Sequence, residues 1–290
     1  MHAFPQQWHN LGYGLGLRAT HYDDILQHQP AIDWFEALSE NYLATEGRPR
    51  RKLLEISERY PIVLHGVSMS VGGSDPLNKD YLQRLKNLAK EVSAVWISDH
   101  LCWTGSNGIN VHDLLPLPYH EESLKHVVQR VREVQDFLEQ PILIENPSSY
   151  LAYSSSNISE WDFLKALSEE ADCGLLLDIN NIYVSAKNHG FDPFTYIDAI
   201  PPHKVGQYHL AGHTVKQKFI LDSHIGPVPQ GVWDLYRYTL KKIGQRSCMI
   251  EWDENIPELS VLIEEAERMK SYGQPSLTLR KSERRDGVEL

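Results

Sequence analysis

The 290-residue chain alternates between short apolar segments and longer amphipathic stretches. This alternation is typical of βα units that feed a parallel sheet. Several segments are apolar at consecutive positions, as expected for strands that are covered on both faces. The pattern predicts eight strands, at residues 14–18 (GLGLR), 33–38 (DWFEAL), 62–66 (IVLHG), 94–100 (AVWISDH), 142–146 (ILIEN), 175–180 (LLLDIN), 206–212 (GQYHLAG) and 248–252 (CMIEW).

Stretches with helical periodicity lie between these strands. The clearest are residues 80–92, 121–140, 159–170 and 231–243, and a last helix is predicted near 257–272. Eight βα units in a chain of this length favour an α/β fold of the closed (β/α)₈ type, the TIM barrel, over an open doubly wound sheet. The segment GYGLGLR does not supply the GxGxxG of a dinucleotide-binding turn. We expect a single barrel domain over residues 1–272 and a polar, flexible tail over residues 273–290.

The composition of the chain disfavours several binding partners and cellular locations. A hydrophobic content of 41% can bury the core of one large domain. The formal net charge of −11 disfavours nucleic acid and anionic membrane, which bind clustered Lys and Arg. No apolar run approaches the roughly 18 residues of a membrane helix, and the start of the chain does not have the pattern of a signal peptide. Cys102, Cys173 and Cys248 lack CxxC spacing, so we interpret them as ordinary buried thiols of a cytoplasmic protein.

Metal-capable side chains stand at or near the C-terminal ends of six predicted strands, the rim where barrel enzymes build their active sites. Any one of them could be a hydrogen-bonded polar residue in the barrel mouth. Six together favour a metal centre, because buried carboxylates need a counter-charge and the strand ends offer few Lys or Arg. The six residues are His65, His100, Glu145, Asp178, His209 and Glu251.

Further candidates lie in the segments that follow the strands. Asp222 and His224 are two residues apart in FILDSHIGP, so in an extended loop both point the same way, although a solvated loop is an alternative. Asn180 or Asn181 offers an amide oxygen. Other candidates for the site are His189 in the same segment and the serines that follow His65, which could instead cap the next segment: Ser68 and Ser70.

Together these residues predict nine ligands: His65, His100, Glu145, Asp178, Asn181, His209, Asp222, His224 and Glu251. One ion accepts about four to six ligands, so the set implies two or three ions. Its carboxylates match the charge of two divalent cations. Imidazole and carboxylate ligands without thiolates suit iron, manganese and zinc alike, and their spacing does not choose among these metals.

The chain resembles the multinuclear non-haem iron-dependent oxidative enzymes, the MbnB-like family, whose TIM barrels are related to that of xylose isomerase. The resemblance extends over roughly residues 10–270 and is most specific in LDINNIYVSAKNHGFDP. It implies a xylose isomerase-like barrel, two or three iron ions and metal binding by the same nine residues. The matching segments are LHGVSMSVGG, SDHLCW, HDLLPLPYHEESL, IENPSSY, LDINNIYVSAKNHGFDP, YHLAGH, DSHIGPVP and IEWDENIPEL.

The resemblance further implies an oxidoreductase that uses O₂ to modify cysteine residues of a ribosomally synthesised precursor peptide. A separate protein that recognises this peptide is implied as well. Two other interpretations stay open. A redox-inert di- or trinuclear hydrolase or isomerase would use the same ligands to hold zinc or manganese and activate water. A non-catalytic metal-binding or scaffold protein would need fewer ligands, since a structural site closes with about four.

Overall fold

The computed structural model describes residues 8–273. Most of the predicted flexible tail, residues 274–290, lies outside the described residues. Within them the chain forms twelve strands: β1 (Tyr13–Gly16), β2 (Trp34–Leu38), β3 (Ile62–Gly66), β4 (Ile97–His100), β5 (Trp103–Ser106), β6 (Ile109–Leu115), β7 (Leu143–Glu145), β8 (Gly174–Asp178), β9 (Val205–Ala211), β10 (Thr214–Val215), β11 (Ile220–Leu221) and β12 (Ser247–Glu251).

Eight of these strands form a closed parallel barrel in the order β1-β12-β9-β8-β7-β4-β3-β2. Strand β1 closes the ring because it pairs with β2 on one side and β12 on the other. Each barrel strand corresponds to one predicted from the sequence, so the predicted TIM barrel is confirmed. In the described residues no helix is both long and apolar enough to cross a membrane.

Helices surround the barrel and cover its outer face. They are α1 (Tyr22–His28), α2 (Glu40–Leu43), α3 (Arg48–Ser57), α4 (Lys79–Glu91), α5 (Glu121–Leu138), α6 (Glu160–Glu170), α7 (Ile179–His189), α8 (Pro193–Ala199), α9 (Gln230–Lys242) and α10 (Leu259–Gly273). All five helices predicted above are present, within about two residues at each end. Their apolar faces and the outward-facing strand residues form the larger hydrophobic cluster.

A smaller apolar cluster fills the barrel interior and comes from one residue in or just before each of six strands. Side chains two positions apart on a strand point to the same side, so the residues two positions later also face the interior, nearer the C-terminal end. The cluster contains Trp34, Val63, Trp96, Leu143, Leu176 and Met249, with Trp8 and Leu11 packed against it. The barrel is therefore apolar at its N-terminal end and polar at its C-terminal end.

Two small antiparallel hairpins extend from the C-terminal side of the barrel. Strand β5 pairs with β6 in the loop after β4, and β10 pairs with β11 in the loop after β9. Asn107 and Gly108 connect β5 to β6 with φ of 53° and 75°, the left-handed conformation that a two-residue Asn-Gly hairpin turn requires. Neither hairpin is among the strands predicted from the sequence.

The sixth barrel strand ends earlier than predicted. The sequence pattern extends it to residue 180, whereas β8 ends at Asp178 and α7 begins at Ile179. The Asp178 carboxylate accepts a hydrogen bond of 2.7 Å from the Asn181 backbone N–H and so caps the helix. This cap places Asn181 in the first turn of α7, beside the end of the strand.

Candidate metal centre

The C-terminal end of the barrel opens into a cavity of about 1010 Å³. Strand ends form its floor, and the two hairpins contribute to its wall. The lining carries two cationic side chains, Arg18 and Lys216, against a larger number of carboxylates: Glu36, Asp113, Asp222, Glu251, Asp253 and Glu254. The cavity is therefore strongly acidic.

Strand register brings the predicted ligands to this floor. Interior-facing positions alternate with outward-facing ones along each strand, so a polar residue two positions after an interior apolar residue also faces the interior, nearer the cavity. Four of the predicted ligands follow this rule, in the pairs Val63 and His65, Leu143 and Glu145, Leu176 and Asp178, and Met249 and Glu251. His65 and Glu251 line the cavity, whereas Glu145 and Asp178 are buried below its surface.

A first group consists of two imidazoles and one carboxylate. The Nε2 atoms of His65 and His100 both lie 3.2 Å from Glu145 Oε2. His65 Nδ1 lies 2.8 Å from Ser98 Oγ, and His100 Nδ1 lies 3.0 Å from the Gly66 carbonyl oxygen. Because these oxygens accept hydrogen bonds from Nδ1–H, the lone pair of each Nε2 atom is free for a cation bound beside Glu145.

A second group lies beside the first and shares Glu145 with it. Potential ligand atoms of Glu145, Asp178, His209 and Glu251 all lie within 4.8 Å of one another. His209 Nδ1 is 3.1 Å from Glu251 Oε2 and 3.4 Å from Glu145 Oε1. Three carboxylates around one imidazole form a site for a cation.

A third group, His224, Glu251 and Asp253, shares Glu251 with the second. His224 Nδ1 lies 3.0 Å from Asp253 Oδ2, and His224 Nε2 lies 2.8 Å from Asp222 Oδ1. Asp222 and His224 belong to the loop after β11, and His224 has a φ of 47°. His224 therefore reaches this group from a loop, with its backbone in the left-handed region.

Unpaired polar atoms test whether these residues fit metal ions. Buried polar atoms in proteins are nearly always hydrogen-bonded, and an unpaired one is costly. Five atoms of the predicted ligands are buried and make no well-aligned hydrogen bond in the protein, although three of them have a polar atom nearby: Glu145 Oε2, Asp178 Oδ2, Asn181 Oδ1, His209 Nδ1 and His224 Nε2. All five are lone-pair donors that suit a divalent cation, so the residues fit a metal centre.

Burial disfavours the charged forms of His65 and Asp178. It lowers the pKa of His65 to about 3, although nearby Glu145 opposes the shift. Burial also raises the pKa of Asp178 well above its usual range, and the charges of Glu145 and Asp222 add to the effect. A cation at the floor of the cavity would favour the neutral imidazole and the ionised carboxylate that ligation requires.

The other residues predicted for the site from the sequence do not lie together. Asn180 donates to Asp222 Oδ1 at 2.8 Å and accepts from His213 Nδ1 at 2.7 Å, so it orients the carboxylate of Asp222. His189, at the end of α7, lies 2.8 Å from Ser149 Oγ. Ser70 Oγ accepts from the Thr104 N–H. Ser68, Ser70 and His189 do not line the cavity.

Two carboxylates of the site were not among the residues predicted from the sequence. Glu36 lies within β2, and its Oε2 atom is 3.1 Å from His209 Nε2. Asp253 lies two residues beyond Glu251, and Arg18 donates to its carboxylate. A signal for Glu36 exists in the sequence, because it follows the interior residue Trp34 by two positions.

With the geometry in place, comparison with known proteins decides the family. Residues 12–274 match the family described as RiPP precursor modification enzyme MbnB/TglH/ChrH. The chain belongs to this family. Its members modify ribosomally synthesised precursor peptides, so the protein is an enzyme of peptide modification, and the resemblance inferred from the sequence is confirmed. A similar curated relative is a UPF0276 protein of Anaeromyxobacter sp. strain Fw109-5, 49% identical over 89% of this chain and 91% of that protein.

Solved structures share the fold at low sequence identity. An L-ribulose 3-epimerase superimposes with a TM-score of 0.62 at 13% identity, over 96% of this chain and 99% of the other. A xylose isomerase-like TIM barrel/4-hydroxyphenylpyruvate dioxygenase fusion protein gives a TM-score of 0.58 at 14% identity, over 97% of this chain and 45% of the other. The predicted xylose isomerase-like barrel is therefore confirmed.

Proposed function

We propose that this protein is an oxidoreductase that uses two or three iron ions and O₂ to modify cysteine residues of a ribosomally synthesised precursor peptide. The observation that carries the proposal is the convergence of three groups of metal-ligating side chains on one cavity floor. Membership of a precursor-modifying family supports a peptide as the substrate.

Sharing of carboxylates supports a multinuclear centre. Glu145 belongs to two of the groups, and Glu251 also belongs to two. A carboxylate has two oxygens and can bridge two cations. Bound iron would supply the capacity to reduce O₂ and oxidise a thiol, a capacity that the side chains of the cavity lack.

The residues of the centre have separate tasks in this proposal. His65, His100 and Glu145 hold one ion on rigid strands, and Ser98 and the Gly66 carbonyl orient the two imidazoles. Asp178, His209 and Glu251 hold a second, with Asn181 Oδ1 as an additional donor. Asp222 and His224 reach the centre from a loop, which adjusts more readily than a barrel strand.

Apolar side chains at the cavity mouth support a peptide substrate. Leu151 and Tyr150 line the cavity and are 65% and 43% exposed. Phe219 packs against Tyr150 with ring centroids 6.1 Å apart, and Val215 of the same hairpin is exposed. Exposed apolar groups in contact with an acidic cavity suit the apolar residues of an extended peptide whose modified residue reaches the floor.

Three further proposals concern a partner protein, the cellular compartment and the domain boundaries. We infer that a separate protein recognises the precursor peptide. The three free cysteines, all buried, suit a reducing compartment, so we place the reaction in the cytoplasm. We assign the chain a single barrel domain over residues 1–272, with the tail following it.

A redox-inert hydrolase or isomerase with zinc or manganese is the rival function, because the same ligands suit those metals. Metal analysis after anaerobic purification separates the two. We expect more than one iron per chain in iron-replete cells, whereas zinc or manganese as the major metal would favour the rival.

A further inference from the structure

The carboxylate of Glu36 lines the cavity and lies against the Nε2 side of the His209 imidazole. Glu36 Oε2 is 3.1 Å from His209 Nε2, while His209 Nδ1 faces the carboxylates of Glu145 and Glu251. Both Glu36 and His209 are buried. The imidazole is therefore held between an acceptor on one side and the proposed ions on the other.

Two more buried residues fix the orientation of this carboxylate. The indole N–H of Trp96 donates to Gln207 Oε1 at 2.7 Å. Because Oε1 of the amide is engaged, the Gln207 Nε2 group has to face Glu36, and it donates to Oε2 at 2.6 Å. Glu36, Gln207 and Trp96 project from three different strand segments into the barrel interior, so their relative positions are set by the barrel itself.

We propose that Glu36 is a positioning residue that keeps the proton of His209 on Nε2 and leaves the Nδ1 lone pair for a metal ion. An ionised carboxylate only accepts hydrogen bonds, so it favours the tautomer that donates from Nε2. In the other tautomer, Gln207 Nε2, 2.8 Å from His209 Nε2, would donate to that nitrogen. His209 Nδ1 would then carry a proton toward Glu145 and Glu251 and bind no ion.

This inference rests on the metal centre of the proposed function, but not on iron, O₂ or the peptide. It is tested with Co²⁺ alone, added to the metal-free full-length protein without O₂. The variant is Glu36→Gln, which keeps the shape of the side chain but removes its charge and lets the amide present N–H to His209. The matched control is Glu160→Gln, which removes the charge of a half-buried residue that accepts a hydrogen bond from Tyr196 and does not line the cavity.

We expect Glu36→Gln to weaken the binding of one Co²⁺ by roughly 10- to 100-fold, the usual effect of losing an outer hydrogen-bond partner of a metal-bound histidine. The visible absorption of the bound Co²⁺ should change, and circular dichroism should match that of the wild type. The Glu160→Gln control should bind Co²⁺ as the wild type does. Equal affinity and equal spectra for Glu36→Gln and the wild type would overturn the proposal.

Proton NMR of the Co²⁺-loaded protein reports the tautomer itself. The Nε2–H of a cobalt-bound histidine gives a strongly shifted signal that disappears in D₂O, and the signal of His209 is assigned by its absence in His209→Ala. We expect this signal in the wild type and at a different position in Glu36→Gln. Its absence from the wild type would overturn the proposal. Loss of a whole Co²⁺ in Glu36→Gln with the His209 signal unmoved would make Glu36 a ligand and would also overturn it.

Discussion

Glu145 Oε1 on β7 lies 3.4 Å from His209 Nδ1 on β9. Glu145 Oε2 and His209 Nδ1 are both buried and make no well-aligned hydrogen bond in the protein. Two such groups facing each other are stabilised by a cation between them.

We expect Glu145→Gln to lower metal content by about one equivalent per chain or more, because Glu145 belongs to two ligand groups. The barrel should stay folded, since the carboxylate serves the ions and contributes little to the core. Elemental analysis and circular dichroism measure the two effects. Unchanged metal content together with a loss of folded protein would assign Glu145 to the core instead.

His224→Ala tests the loop ligands. His224 contacts Asp222 and Asp253 and lies on a loop, with a φ of 47°, so we expect the ion it holds to be the one most easily lost. The variant should abolish O₂-dependent turnover while part of the iron stays bound. Iron content and O₂ uptake are measured on the same sample. Full turnover at reduced iron content would remove His224 from the functional centre.

Leu151→Asp tests the mouth of the cavity as the contact surface of the peptide. Leu151 is 65% exposed, so the change should leave the fold intact. We expect KM for the precursor peptide to rise roughly tenfold with little change in kcat, because about 1.4 kcal/mol of apolar contact is lost. The control is Phe194→Asp on α8, another exposed apolar residue, which does not line the cavity. An equal effect of both variants would exclude a specific contact at Leu151.

The pH dependence of stability should depend on Glu160. Burial raises the pKa of this carboxyl from 4.5 to about 7, against the hydrogen bond donated by Tyr196. The folded state therefore keeps a proton that the unfolded chain releases near pH 4.5, so this contribution to stability is lost as the pH rises from about 4.5 through 7. Each unit of pKa difference is worth about 1.4 kcal/mol.

Glu160→Gln stays uncharged throughout and should lose less stability than the wild type over that range. Urea unfolding of the metal-free proteins at pH 5 and pH 8 measures the difference. Parallel losses of stability in the two proteins would show that Glu160 is not the titrating group.

The barrel could be predicted from the sequence because buried parallel strands read as apolar runs, and these runs stay recognisable without tertiary information. Strand-end position then identified residues such as His65 and Glu145. The hairpins were harder to predict. Strands β10 and β11 have two residues each, too few for periodicity, whereas the Asn107-Gly108 dipeptide was a usable turn signal.

The contact between Glu36 and His209 could not be predicted from the sequence pattern. Its partner His209 is 173 residues away, on a strand that does not pair with β2. The contact crosses the barrel interior and exists only once the ring closes. The two-residue spacing from Trp34 places Glu36 inside the barrel. Its contact with His209 can be recognised only in the closed barrel.

Oxidation of a peptide thiol by this protein is measured most directly as O₂ uptake. The iron-loaded protein is mixed with candidate precursor peptides that contain cysteine and with the same peptides carrying serine instead of cysteine. We expect O₂ consumption only with iron and the cysteine peptides, and none after exchange of iron for zinc. No thiol-dependent O₂ uptake with any of these peptides, or conversion of the peptide by the zinc-loaded protein without O₂, would contradict the account and favour the hydrolase.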